Sequence, residues 1–234
     1  MKRMLAALCC LFLLTGCAAR PMTVTVFAAS SLTDVMTELG QRYEAENSAW
    51  DVVFNFDSSG TLRTQMDEGA NWDLFLSAGK KQVEGMKSVD FVENKVVLVG
   101  NMGSFEELKT ALEAGTVLLA MGNEDVPVGQ YTQKILTCLG LDEAELAKNG
   151  CITYGGNVRE VLTQVKEGVA DCGVVYATDA AMGGLEVRDT ATEDICGQVI
   201  YPAVAQNERG EDFFRFLQSE AAAEVLKEAG FTPL

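Results

Sequence analysis

Short runs of β-branched and aromatic residues alternate with stretches of helical periodicity from Thr23 onward. Thr23–Ala28 reads as a strand. Thr33–Glu46 reads as a helix, because Val35, Leu39 and Tyr43 recur at a spacing that puts them on one face. Asp51–Phe56 predicts a second strand, Thr61–Glu68 a helix halted by Gly69, and Trp72–Ser77 a third strand. That βαβαβ order implies parallel pairing with right-handed crossovers.

A second series begins with a strand at Lys95–Val99. A helix follows, opened by Ser104 with Glu107 as its capping-box partner, and then a strand at Thr116–Met121. A helix from about Gly129 to Leu139 stops at Gly140. Strand Cys151–Tyr154, a helix capped by Asn157 with Glu160 three residues on, and strand Cys172–Tyr176 complete the series. The chain returns through Val199–Ala205 and closes with helical segments at Asp212–Leu217 and Glu220–Ala229. Two α/β lobes joined near Lys95–Val99 and Val199–Ala205 explain this order better than one continuous sheet. The expected division is 23–95 plus 200–234 for lobe I and 96–199 for lobe II.

Ahead of this region, Lys2 and Arg3 precede an apolar run from Met4 to Leu14 that ends in Leu14-Thr15-Gly16-Cys17. Such a segment reads as an export signal over residues 1–16. Its last four residues resemble the lipobox of bacterial lipoproteins, which implies lipidation of Cys17, a short linker over 17–22, and an extracytoplasmic protein anchored to the cell membrane. An ordinary secretory signal cleaved near Ala18 or Ala19 is the alternative.

Composition narrows the chemistry. With 48% hydrophobic and 22% charged residues among 234, the chain is of ordinary globular make-up. It contains no His, which removes Ser–His and Cys–His catalysis and most zinc and copper sites. Neither a G-x-S-x-G elbow nor a G-x-x-x-x-G-K-[ST] phosphate loop is present, so the reading is of a binding protein and not an enzyme. Without Lys2 and Arg3, 16 basic residues face 34 acidic ones, a net charge of −18 that repels nucleic acid and anionic lipid. Four cysteines lie beyond Cys17. Pairing Cys138 with Cys151 and Cys172 with Cys196 is one of three possible connectivities, and buried free thiols are the alternative.

In parallel α/β sheets ligands bind beyond the carboxyl ends of strands. The first strand ends in Phe27-Ala28-Ala29-Ser30-Ser31-Leu32 and the second in Phe56-Asp57-Ser58-Ser59-Gly60-Thr61, so each places a Ser pair where a helix begins. Hydroxyls and free N–H groups at helix starts suit an anion, although serines there also serve as ordinary caps. The second half adds Gly122-Asn123-Glu124-Asp125-Val126-Pro127-Val128-Gly129 and Gly155-Gly156-Asn157-Val158 before two further helices.

These segments resemble the extracytoplasmic molybdate-binding proteins of ABC importers. The resemblance is carried by Val26-Phe27-Ala28-Ala29-Ser30-Ser31-Leu32-Thr33, Phe56-Asp57-Ser58-Ser59-Gly60-Thr61-Leu62 and Trp72-Asp73-Leu74-Phe75-Leu76-Ser77-Ala78. It continues through Val126-Pro127-Val128-Gly129-Gln130-Tyr131, Asn157-Val158-Arg159, Gly173-Val174-Val175-Tyr176-Ala177-Thr178-Asp179-Ala180, Tyr201-Pro202 and Ala229-Gly230-Phe231-Thr232. It implies a two-lobed type II periplasmic-binding-protein fold, with mostly parallel sheets, helices on both faces and the ligand cleft between the lobes.

The same resemblance implies an oxyanion, molybdate or tungstate, held by uncharged donors. These would be Ser31 and Ser59 through hydroxyl and backbone N–H, Val128 and Val158 through backbone N–H, and Tyr176 through its hydroxyl. Molybdenum would be held as its oxyanion, with no protein atom bonded to the metal and no cofactor. The partner would be an ABC permease and the binding protein a monomer. Three departures from the family pattern stand out: Val128 for the usual Ala, Asp57 beside the second Ser turn and expected to face solvent, and Ser30 for the commoner Ala. Arg159 is expected outside the direct contact set. The alternatives are a binding protein for another tetrahedral oxyanion such as sulfate, and an oxyanion sensor module.

Overall fold

The computed structural model describes residues 22–234, so the leader, Cys17 and most of the linker lie outside the described residues. In chain order the first half comprises β1 (Met22–Ala29), α1 (Thr33–Glu46), β2 (Trp50–Asp57), α2 (Ser59–Asp67), β3 (Leu74–Leu76), β4 (Val89–Asn94), β5 (Val96–Gly100), α3 (Phe105–Glu113) and β6 (Leu119–Gly122). Then come α4 (Pro127–Cys138), α5 (Glu143–Lys148), β7 (Ile152–Gly155), α6 (Val158–Lys166), β8 (Cys172–Tyr176), α7 (Ala177–Gly183), β9 (Val187–Thr190) and α8 (Glu193–Cys196). The chain ends with β10 (Val199–Ala205), α9 (Glu208–Leu217), α10 (Glu220–Glu228) and β11 (Thr232–Pro233).

Two sheets result. The first has the order β11-β4-β10-β3-β1-β2 and the second β7-β6-β8-β5-β9. Buried Val24, Val26, Leu74 and Leu76 lie at the heart of the first, and Leu98, Leu119, Val174 and Val175 at the heart of the second. The chain passes from one sheet to the other at Lys95, the single residue between β4 and β5, and again between β9 and β10.

The βα units pair as expected: β1 lies parallel to β2 and β3, and β6 parallel to β7 and β8. The sheets as wholes are mixed, however, where mostly parallel ones were expected. The crossing strands β5 and β10 run antiparallel to both of their neighbours, because each enters its sheet from the other sheet and not through a βαβ crossover within its own.

Local chemistry sets the helix starts. Ser104 Oγ accepts the N–H of Glu107, and Asn157 Oδ1 accepts that of Glu160, whose carboxylate returns to the N–H of Gly156. Pro127 occupies the first turn of α4, where a missing N–H costs nothing.

All four cysteines among the described residues are free thiols, Cys138 exposed and the others buried, so the Cys138–Cys151 and Cys172–Cys196 pairing is not formed. Cys172 is fully buried within β8 and packs as a small apolar residue, its thiol pushed up to about 12 by burial.

Candidate functional site

The turns leaving β1, β2 and β3 meet those leaving β6, β7 and β8 around one small cavity. Its walls are Ala29, Ser30, Ser31, Ser58, Ser59 and Ala78 from the first sheet, and Val126, Pro127, Val158 and Tyr176 from the second. It is small, about 10 Å³ in volume, and its wall residues are buried. No charged side chain is on this wall.

Of the five residues expected to bind, Ser31, Ser59, Val158 and Tyr176 lie on the wall. Val128 does not. It is fully buried in the first turn of α4, next to the wall residue Pro127.

The two Ser pairs divide their labour. Ser58 is the cap of α2, its Oγ accepting the Thr61 N–H at 3.1 Å and sharing a hydrogen bond with the Thr61 hydroxyl. Ser59 Oγ instead accepts the N–H of Ala78 at 2.9 Å. An oxygen that already accepts keeps its own proton to give, so the Ser59 hydroxyl is arranged as a donor. Ser31 sits in the 3-10 turn Ser30–Leu32, which has no side-chain cap, and its Oγ lies 3.0 Å from Tyr201 Oη.

Helix starts supply the remaining donors. Val158 opens α6 and Val128 is in the first turn of α4, positions whose N–H groups lie too early for an intrahelical acceptor. Tyr176 is the residue before α7 and uses no side-chain atom to cap it. Its hydroxyl donates to the Ala78 carbonyl at 3.4 Å, a long bond that leaves the proton free to turn toward a better acceptor. Burial, reinforced by Tyr201, Tyr131 and Asp179, raises the Tyr176 pKa well above the ordinary phenol value, so the hydroxyl stays protonated. Several helix N-termini therefore direct positive potential and unpaired N–H groups at one uncharged cavity, an arrangement that stabilises an anion without a cationic side chain.

The two halves touch closely around it. A Cβ on Gly60 of α2 would lie 2.2 Å from the Asp125 carbonyl oxygen, so only glycine fits that approach. Arg159 of α6 pairs with Asp34 of α1, and its Nε stands 2.9 Å from Asp179 Oδ1. Arg159 is thus off the cavity wall, as expected.

Asp57 departs from expectation. It is half-buried, and its Oδ1 accepts the N–H of Ser58 at 2.7 Å, because an orphan amide at a helix start attracts a carboxylate. Ser30 joins the wall and accepts the Thr33 hydroxyl through its carbonyl.

Ala78, Val126 and Pro127 were quoted in the sequence motifs but not as binding residues. Ala78 directly follows the third predicted strand, Trp72–Ser77, the same kind of position as the Ser turns, and that signal was available to find it. Gly79, next in the chain, belongs to a wider groove of about 810 Å³ that also carries Lys80, Lys81 and Lys134. Two of those cations are committed elsewhere: Lys80 to Asp90 at 2.8 Å, and Lys134 to the Cys196 carbonyl at 3.1 Å. Among the described residues no group of His, Cys, Asp or Glu is placed to hold a metal ion.

A family model described as bacterial extracellular solute-binding protein matches residues 24–232. The chain is 33% identical to the molybdate-binding protein ModA of Haemophilus influenzae, over 89% of each chain. It is 31% identical to YvgL of Bacillus subtilis, named as a proposed ABC transporter substrate-binding lipoprotein, over 97% of this chain and 96% of that one. Among solved structures, the periplasmic molybdate-binding protein of Azotobacter vinelandii superimposes with a TM-score of 0.76 at 20% identity. The match covers 89% of this chain and 98% of that one, a likeness of fold.

Proposed function

The chain belongs to the bacterial extracellular solute-binding protein family, whose members are transport binding proteins and not enzymes, and from that premise we propose that it captures molybdate, and tungstate with it, for an ABC permease. The observation that carries this reading is a cavity with no charged wall residue, toward which Ser59 presents a hydroxyl whose oxygen is already engaged. The proposed contacts are the hydroxyl and N–H of Ser31 and Ser59, the N–H of Val128 and Val158, and the Tyr176 hydroxyl.

The chemistry explains the selectivity. A fully deprotonated tetrahedral dianion offers only acceptors and matches a ring of donors, whereas a protonated phosphate also needs an acceptor for its proton. Sulfate passes that test, and size separates it: donors spaced for the larger anion reach a smaller one poorly. Molybdate and tungstate are close in size and are taken together.

Because the wall residues are buried and come from both halves, entry requires the lobes, 23–95 with 200–234 and 96–199, to part and close again about the two crossings near Lys95 and Val199. Anion contacts made from both sides then favour the closed form, which a permease reads. Lipidation of Cys17, in keeping with the lipoprotein name of the Bacillus relative, would hold the protein at the membrane as a monomer.

Isothermal titration of the chain lacking residues 1–17 with molybdate, tungstate, sulfate and phosphate tests the reading. Tight binding of the first two and weak binding of the others is expected. Preference for sulfate or phosphate would overturn it.

A further inference from the structure

Tyr201 of β10 is fully buried and was quoted in the sequence only as part of Tyr201-Pro202, yet its hydroxyl stands between the site and the crossing at Lys95. Three hydrogen bonds fix its polarity. The N–H of Lys95 donates to Asn94 Oδ1 at 2.8 Å, which sets the orientation of the Asn94 amide. Asn94 Nδ2 therefore faces inward and donates to Thr178 Oγ1 at 2.9 Å and to Tyr201 Oη at 3.2 Å. An amide nitrogen cannot accept, so the Tyr201 proton goes to another oxygen; Ser31 Oγ stands 3.0 Å away, and the Tyr176 hydroxyl lies alongside with its own proton directed to the Ala78 carbonyl. Tyr201 is fully buried, and a phenol out of contact with bulk water places its proton on a nearby acceptor.

We propose that Asn94 and Tyr201 are positioning residues for oxyanion selection: their fixed proton order makes Ser31 Oγ an acceptor from Tyr201 and so commits the Ser31 proton to the ligand. Ser31 then matches Ser59, whose oxygen is engaged by the Ala78 N–H. Both hydroxyls are held as donors by a bond on the side away from the cavity. A serine hydroxyl left to itself gives or takes a proton with equal ease and would tolerate a protonated oxyanion. The backbone amide at Lys95, through two side chains, lowers that tolerance at Ser31 by freeing its proton for the ligand and occupying one of its two lone pairs.

This inference rests on the oxyanion reading above, and a double-mutant cycle separates the two. Molybdate and phosphate affinities are measured for the chain lacking residues 1–17 and for Tyr201→Phe, Ser31→Ala and the double variant, with folding checked by thermal melting. Tyr201→Phe is expected to weaken molybdate roughly ten-fold and to narrow the molybdate-to-phosphate ratio, because Ser31 regains the freedom to accept. In the Ser31→Ala background the same change is expected to alter molybdate affinity less than about two-fold.

Equal losses in both backgrounds, or an equal loss for both anions, would mean a merely structural role and overturn the proposal. So would an unchanged Tyr201→Phe affinity in a protein whose parent binds molybdate. A parent that binds no oxyanion overturns the functional reading, and this proposal with it. Asn94→Asp gives a second route should Tyr201→Phe not fold. A carboxylate draws the Tyr201 proton away and reverses the order, so molybdate binding falls in the parent and falls less when Ser31 is Ala. An equal fall in both overturns the proposal.

Discussion

Arg159 Nε stands 2.9 Å from Asp179 Oδ1, and that carboxylate is fully buried. The pair is close but misaligned: neither Arg159 Nε nor either Asp179 oxygen makes a hydrogen bond. The same guanidinium reaches Asp34 on α1, so one side chain links α6 and α7 of the second sheet's half to the first helix of the chain. Charge attraction without a hydrogen bond compensates burial poorly, and the consequence is a titration.

Burial lifts the Asp179 pKa to about 7, with Arg159 opposing and Asp34 adding to the rise. Its native proton is therefore held up to about pH 7, whereas the unfolded chain releases it near the ordinary carboxylate value. Between those limits the native state binds more protons, so the stability this group contributes at low pH is lost as pH rises toward 7. Denaturant unfolding of the ligand-free protein between pH 4 and 8 should show the parent losing stability relative to Asp179→Asn, by on the order of 3 kcal/mol. A difference that stays constant across that range contradicts the assignment.

Ser58 and Ser59 are adjacent and should separate cleanly. Ser58→Ala removes a helix cap and should cost about 0.5–2 kcal/mol of stability, with a smaller loss of affinity than Ser59→Ala. Ser59→Ala should weaken molybdate by about 1–3 kcal/mol. Thermal melts and titrations of the two variants give both readings.

Gly60→Ala should leave the ligand-free fold intact, since an alanine within a helix is favourable by up to about 1 kcal/mol. Its Cβ meets the Asp125 carbonyl only when the two halves are together, at 2.2 Å. Molybdate affinity should fall at least ten-fold, and small-angle scattering with ligand should show a larger radius of gyration than the parent.

Asp34→Ala breaks the surface half of the Arg159 link. Asp34 is 45% exposed, so the pair is screened by solvent and the expected loss in molybdate affinity is at most about 1 kcal/mol. A much larger loss in titration would make the link a principal determinant of closure.

The net charge of −18 beyond the leader opposes an arriving dianion. Stopped-flow association rates at fixed molybdate should rise as salt is raised, because screening weakens the repulsion. A clear fall contradicts this picture.

The candidate site was legible because helix starts after strands are written locally. Ser31, Ser59 and Val158 each follow a strand within a few residues. Other features were hidden for physical reasons. Strand β4 carries Asp90, Glu93 and Asn94 and lacks the alternation of a half-buried strand, and α7 is too short and small-sided to show a period. Helix α4 begins two residues earlier than its periodicity suggests, because Pro127 reads as a turn residue and also suits the first turn of a helix. Parallel order was extrapolated from the βα units to the crossing strands, which carry no signature of direction. The Asn94–Tyr201 contact joins residues 107 positions apart, and nothing in either local sequence points to the other.

The most direct measurement is anomalous diffraction from crystals of the chain lacking residues 1–17 grown with molybdate, which locates molybdenum independently of any contact argument. The account predicts one strong peak in the cavity between Ser31, Ser59 and Tyr176, with ligand oxygens about 2.7–3.2 Å from the two serine hydroxyls and the N–H groups of Val128 and Val158. A peak in the groove beside Lys80, Lys81 and Lys134, or none at all, would contradict it.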